Sequence, residues 1–240
     1  HNPANVAEMG TAVDTHAFGP LGQPRRIQVL QQLASLLGGD EHEVPVCGLG
    51  RAIDEGRFAE PPHTPTLLGH RDGRRIDFRH DNIILLQPTR IIARKRIGLN
   101  LGMIAALFQD AEFADALRAT PSLKLTLMVT GPVAVGQQRY WDRLLEVVGR
   151  FFDSLPDGQR DRVFFAPLFA GINEAAFRDR FERPATIGEL YGIASLVCLP
   201  SKTEGRGLPI VEAAAEGDIF ITVTGDVNVI DEPSFARMKS

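Results

Sequence analysis

From Asp81 onward the chain alternates short apolar runs with longer amphipathic stretches, and this alternation limits the fold more than any other feature. An apolar run of roughly 4–8 residues bounded by turn signals is too short for an ordinary helix and suits a strand buried on both faces. Repetition of such runs with helical stretches between them implies strand-helix units feeding a parallel sheet. Ile83 to Leu86 is the first such run, followed by a helix over 97–109 with Leu99, Met103, Ile104 and Leu107 at helical spacing. Leu123 to Val129 is the second, ending at Gly131-Pro132, and the helix after it aligns Trp141, Leu144, Leu145, Val148, Phe152 and Leu155 as core packing.

Arg162 to Phe165 is a third strand, after which residues 172–184 have no clear period. Thr186 and Glu189 then stand in capping-box register, predicting a short helix from Ile187 to about Ala194. Ser195 to Pro200 is a fourth strand. Residues 209–217 form a helix with Pro at its first turn and Gly at its stop, and Ile219 to Val223 is a fifth strand. Before Asp81 one unit is legible: a glycine turn at 19–22, a helix over 24–37 with Ile27, Leu30, Leu33 and Leu37 aligned, and a strand at Glu43 to Cys47. The Pro- and Gly-rich stretch 56–80 reads as a linker or boundary, dividing an abbreviated N-terminal α/β portion (1–80) from a larger domain (81–240).

Twenty-six basic against thirty acidic side chains leave a net charge of −4, so no global positive field draws nucleic acid or an anionic membrane. The two cysteines, Cys47 and Cys198, make neither a disulfide framework nor a zinc site and fit a reducing compartment. No apolar run approaches the roughly 20 residues of a membrane span. The chain opens at His1 without Met or a signal layout, so its natural start is left open.

The chemistry points to loops at strand ends, where open α/β sheets bind ligands. Residues 200–213 join the fourth strand to a helix, and Gly205 and Gly207 let backbone approach a ligand ahead of the outward-facing amides of the first turn. Glu204 and Glu212 bracket this turn. A carboxylate repels a diphosphate, so the pair is expected to accept hydrogen bonds from neutral hydroxyls, as on a sugar or ribose, while the amides hold phosphates. Arg90, Arg94, Lys95 and Arg96 follow the first strand, where a guanidinium fork and a point charge can neutralise a diphosphate. His16 precedes the glycine turn and reads as a hydrogen-bonded bystander more readily than as a substrate contact.

Taken together, residues 85–95, 129–132, 190–194, 200–201 and the block Glu204-Gly205-Arg206-Gly207-Leu208-Pro209 with Glu212-Ala213 resemble the donor-binding domain of retaining glycosyltransferases of family 4. The opening with Gln23-Pro24-Arg25-Arg26 and His42-Glu43-Val44 is similar to that family more weakly. The resemblance implies a GT-B fold, a Rossmann-type parallel sheet and transfer of a sugar from a nucleotide-sugar, with UDP or GDP as the first expectation. It implies Arg90 and Lys95 on the diphosphate as catalytic cations, Glu204 on the donor sugar, and Gly131, Gly205, Arg206, Gly207 and Leu208 along the donor. Glu212 would hold the ribose, and His16, Gly19 and Gly22 would form an acceptor-side loop. It further implies front-face displacement with retention, no bound metal and no cofactor beyond the co-substrate. A cytoplasmic protein, at most peripheral to a membrane, is the default expectation. The acceptor is left open between a small molecule, a glycan and a lipid-linked group. Arg206 stands where the family usually has an apolar residue. A non-catalytic nucleotide-sugar-binding scaffold and a sugar-nucleotide epimerase are the alternatives.

Overall fold

A computed structural model describes residues 21–59, 62–202, 209, 212–213 and 220–222. In chain order, the elements that carry the fold are α1 (Gln23–Leu36), β1 (Glu43–Gly48), α2 (Leu49–Asp54), β2 (Leu67–Gly69), β3 (Arg75–Asp77) and β4 (Asn82–Gln87). They continue with α3 (Ile97–Leu107), α4 (Ala111–Ala119), β5 (Lys124–Val129), α5 (Gln138–Ser154), β6 (Val163–Pro167), α6 (Ala175–Arg178), α7 (Ile187–Tyr191), β7 (Leu196–Leu199) and β8 (Phe220–Thr222). The strands form one sheet of 8 in the order β3-β1-β2-β6-β5-β4-β7-β8. From β6 to β8 every pairing is parallel. Counted from β4, that part reads third, second, first, fourth, fifth, the order of the first five strands of a dinucleotide-binding sheet, with the switch point between β4 and β7. The chain is thus α/β with a Rossmann-type sheet.

Adjacent side chains on each strand point to opposite faces, and here both faces are covered. Leu85, Leu125, Leu127 and Phe165 join α3 and α5 in one core. Ile84, Leu86, Met128 and Phe164 join α1 and α7 in the other. Trp141 is fully buried and edge-on to Phe58 and Phe169, with ring centroids at 5.3 and 5.2 Å. Burying a side chain of that size stabilises the fold by roughly 3 kcal/mol.

Residues 56–80, expected as a linker, carry β2 and β3. β1 pairs with β2 in parallel, β3 lies antiparallel on β1, and β2 joins β6 antiparallel with Leu68 opposite Phe165. These strands therefore lengthen the same sheet. The stripe of α1 also differs from expectation: Ile27 is 38% exposed, while Arg25 and Gln32 are buried. Both polar residues reach across to the segment before and within α7. Arg25 donates through Nε and Nη2 to the two oxygens of Glu189, each at 2.7 Å. Gln32 donates to the Arg183 carbonyl at 3.0 Å and accepts from the Ala185 amide at 2.6 Å. Arg26 caps the far end of α7 by donating to the carbonyls of Gly192 and Ile193 at 2.7 and 3.0 Å. α7 has the expected capping box, with Thr186 Oγ1 accepting from the Glu189 amide and Glu189 accepting from the Thr186 amide.

Candidate functional site

The loops after β4, β5 and β6 interlock at the carboxyl edge of the parallel strands. Gly131 donates its amide to the Thr89 carbonyl at 3.1 Å, and Ile91 forms a parallel bridge with Val133. The amides of Leu168 and Ala170 donate to the carbonyls of Val129 and Thr130 at 2.8 and 2.7 Å. A Cβ on Gly131 would lie 2.6 Å from Arg90 Cα, Arg90 N and the Thr89 carbonyl oxygen. All three are backbone atoms, so nothing larger than glycine fits without moving the loop that carries Arg90.

Arg90 is exposed on that rim, whereas Lys95 is buried. Lys95 ends a short 3-10 turn over Ala93–Lys95, and Arg96 follows in the left-handed region at φ 47° before α3 starts. A non-glycine residue in that region costs energy and persists where its surroundings hold it. Here Gln87, fully buried at the end of β4, donates from Nε2 to the Lys95 carbonyl at 2.8 Å and accepts at Oε1 from Asn100 Nδ2 at 2.6 Å. The Tyr140 hydroxyl accepts from the first amide of α3, that of Ile97, at 3.2 Å, and burial pushes its pKa up to about 12.

β7 ends beside β4, and the Lys202 amide donates to the Arg94 carbonyl at 2.8 Å, clasping the two strand-end loops together. Pro209, Glu212 and Ala213 are helical. The buried Tyr191 hydroxyl donates to Glu212 Oε2 at 2.5 Å, holding that carboxylate at the end of α7.

The structure thus brings Arg90, Lys95 and Gly131 to one edge, with residues 200–202 alongside. Glu204, Gly205, Arg206, Gly207, Leu208, His16 and Gly19 lie outside the described residues. Gly22 precedes α1, and Arg26 in the first turn of that helix packs on the segment leading into the amino end of β7. That is the edge opposite Arg90, so Gly22 is not brought together with the cations. Gln87, Asn100 and the role of Tyr191 were not anticipated. A polar residue closing an apolar strand, and an Asn within an apolar helix stretch, were the available signals. The Cys198 thiol is buried in β7 and pushed by desolvation to about 12, which leaves it unreactive. Among the described residues no group of three or more His, Cys, Asp or Glu side chains could hold a metal, and no helix is long and apolar enough to cross a membrane.

No family model matches the sequence, and no curated protein matches it. Among solved structures, HepE of Anabaena in complex with UDP and glucose is 20% identical over 60% of this chain and 30% of its own, with a TM-score of 0.39. The C-terminal domain of a glycosyl transferase group 1 family protein (LpcC) from Francisella tularensis is 17% identical over 88% of this chain and 70% of its own, at 0.40. A trehalose-6-phosphate synthase analysed for glycosyl transfer with retention is 11% identical over 91% and 57%, at 0.42. The chain spans about a third of the length of the first of these. At TM-scores of 0.42 and below these likenesses carry no functional argument.

Proposed function

We propose that this chain is the donor-binding part of a GT-B-type retaining glycosyltransferase resembling family 4. It moves a hexose from a UDP- or GDP-linked donor to an acceptor without a bound metal or further cofactor, in the cytoplasm or at a membrane surface. In this reading residues 81–240 bind the donor, and residues 1–80, whose strands run on from the same sheet, lie toward the acceptor side. One observation carries it: the Arg90 to Lys95 loop, Gly131 and the turn at 200–202 meet at the carboxyl ends of adjacent parallel strands, clasped by the Lys202 amide on the Arg94 carbonyl.

Negative charge develops on the leaving diphosphate as the sugar C–O bond breaks. Cations fixed there before reaction stabilise that charge without reorganising. Arg90 offers a fork for two phosphate oxygens and Lys95 a point charge, while Gln87 and Asn100 hold the turn on which Lys95 stands. Glu204 accepts from the hydroxyls of the donor sugar, the backbone from Gly205 to Leu208 together with Arg206 supports its phosphates, and Glu212, fixed by Tyr191, accepts from the ribose. The acceptor hydroxyl attacks from the face the diphosphate leaves. A donor phosphate oxygen takes its proton, and the configuration is retained.

Nucleotide release from UDP- and GDP-sugars, with water or a candidate acceptor, tests the proposal. Arg90→Ala and Glu204→Ala should each lower the rate by about a hundredfold or more with folding intact. Release unchanged by both substitutions refutes it. A second reading, a non-catalytic nucleotide-sugar-binding scaffold, is favoured by one observation: β1, β2 and β3 extend the donor sheet itself through the β2–β6 pairing. That reading requires nucleotide binding with no release by the wild-type chain.

A further inference from the structure

Two buried hydroxyls at the carboxyl edge have no partner. Thr89 is 7% exposed and Ser201 fully buried, yet neither Thr89 Oγ1 nor Ser201 Oγ makes a hydrogen bond. They are the only side-chain hydroxyls in that state among the described residues. Two hydroxyls within the sheet layers do have partners. Thr126 Oγ1 donates to Asn82 Oδ1 at 3.0 Å, and Ser195 Oγ, at the start of the same strand that Ser201 follows, accepts from the Ile84 amide at 3.3 Å. Buried polar groups are normally paired, and one left alone destabilises the fold by the full cost of removing it from water.

The two orphans hold equivalent places. β4 and β7 pair in parallel with Leu85 opposite Leu196 and Leu86 opposite Val197, and Thr89 and Ser201 each stand two residues past the end of their strand, at the same edge of the sheet. The Lys202 amide on the Arg94 carbonyl keeps the two loops side by side. A hydroxyl can turn its proton to any acceptor presented to it. With Arg90 next in sequence to Thr89 and Lys95 in the same loop, the acceptor that suits this place is anionic.

We infer that the Thr89 and Ser201 hydroxyls are ligand-binding groups, each donating a hydrogen bond to a non-bridging oxygen of the nucleoside diphosphate. The inference rests on the donor-site reading above and adds two residues to it. It separates these hydroxyls from structural ones by a two-sided signature, since removing an unmatched hydroxyl relieves the empty protein and harms only the complex.

Thr89→Val, Ser201→Ala and the conservative Thr89→Ser are compared with the wild-type chain by calorimetric titration with UDP, GDP and ADP, and by thermal melting without nucleotide. Thr89→Val and Ser201→Ala should each bind about tenfold more weakly while melting no lower than wild type, and Thr89→Ser should keep wild-type affinity. Binding by the wild type with affinity unchanged in both hydroxyl-free variants overturns this inference alone. A lower melting temperature in those variants, with affinity intact, assigns the hydroxyls to the fold and likewise overturns it. Failure of the wild-type chain to bind any of the three overturns the donor-site reading and this inference with it.

Discussion

Tyr191 holds Glu212 by donating its hydroxyl proton to Oε2 at 2.5 Å, which links the last residue of α7 to the helix after the proposed donor loop. The phenol is fully buried, so its ring packs in the core whether or not the bond is made. Tyr191→Phe should therefore keep the fold and leave Glu212 free to turn. The expected result is nucleoside diphosphate binding weakened about fivefold, the scale of one hydrogen bond, with a change in unfolding free energy under about 1.5 kcal/mol. Titration and denaturant unfolding of the same variant measure both.

A second prediction concerns acid stability. Burial raises the pKa of Glu189, but the Arg25 fork, the Thr186 amide and the charges of Arg25 and Arg183 outweigh it and hold the carboxyl below its ordinary value of 4.5. A depressed carboxyl stabilises the folded state above its unfolded pKa, and that contribution is lost as pH falls through the folded value. The advantage of wild type over Glu189→Gln should accordingly be full at neutral pH and shrink below about pH 4.5. Arg25→Ala, which leaves a carboxylate only 10% exposed with the Thr186 amide and Arg183 as its remaining partners, should cost about 1–3 kcal/mol at neutral pH. Urea unfolding across that pH range checks both statements.

Gly131 sets how close the loops after β4 and β5 can lie. Gly131→Ala places a methyl 2.6 Å from Arg90 backbone atoms, and those atoms cannot rotate away as a side chain would. The expected cost is about 1–3 kcal/mol, together with weaker nucleotide binding as the Arg90 loop moves outward. Melting and titration of one preparation would show the two losses together.

Gln87 and Asn100 form one unit, with both amides buried. Removing either leaves the other unmatched, at about 1–3 kcal/mol, so Gln87→Ala with Asn100→Ala should cost much less than the sum of the single changes. Each single change should also weaken nucleotide binding through the Lys95 turn. A double-mutant cycle followed by unfolding and by affinity tests the coupling.

The strands from β4 to β7 were legible because a strand buried on both faces writes a continuous apolar run, and α5 because its buried side chains recur at helical spacing. The Thr186 and Glu189 box was legible because its chemistry is local. β2 and β3 were not, since three-residue strands carry no period and the antiparallel join to β6 depends on partners far away in sequence. α4, whose Asp110 side chain accepts from the Phe113 amide, and α2 were passed over as well. In α1 hydropathy misplaced the stripe because Arg25 and Gln32 are buried with their polar groups satisfied by residues more than 150 positions away. Strand-end position singled out the Arg90 to Arg96 cluster, and the family resemblance added Gly131. The Gln87–Asn100 clamp and the Tyr191–Glu212 bond exist only through space.

The most direct measurement of the central claim is a metal-free calorimetric titration of the chain with UDP, GDP and ADP, repeated on Arg90→Ala and Lys95→Ala. Micromolar binding of one nucleotide is expected, lost or weakened at least tenfold in both variants, with the melting temperature of Arg90→Ala unchanged. Binding that survives both substitutions, or no binding of any nucleotide by the wild-type chain, would contradict it.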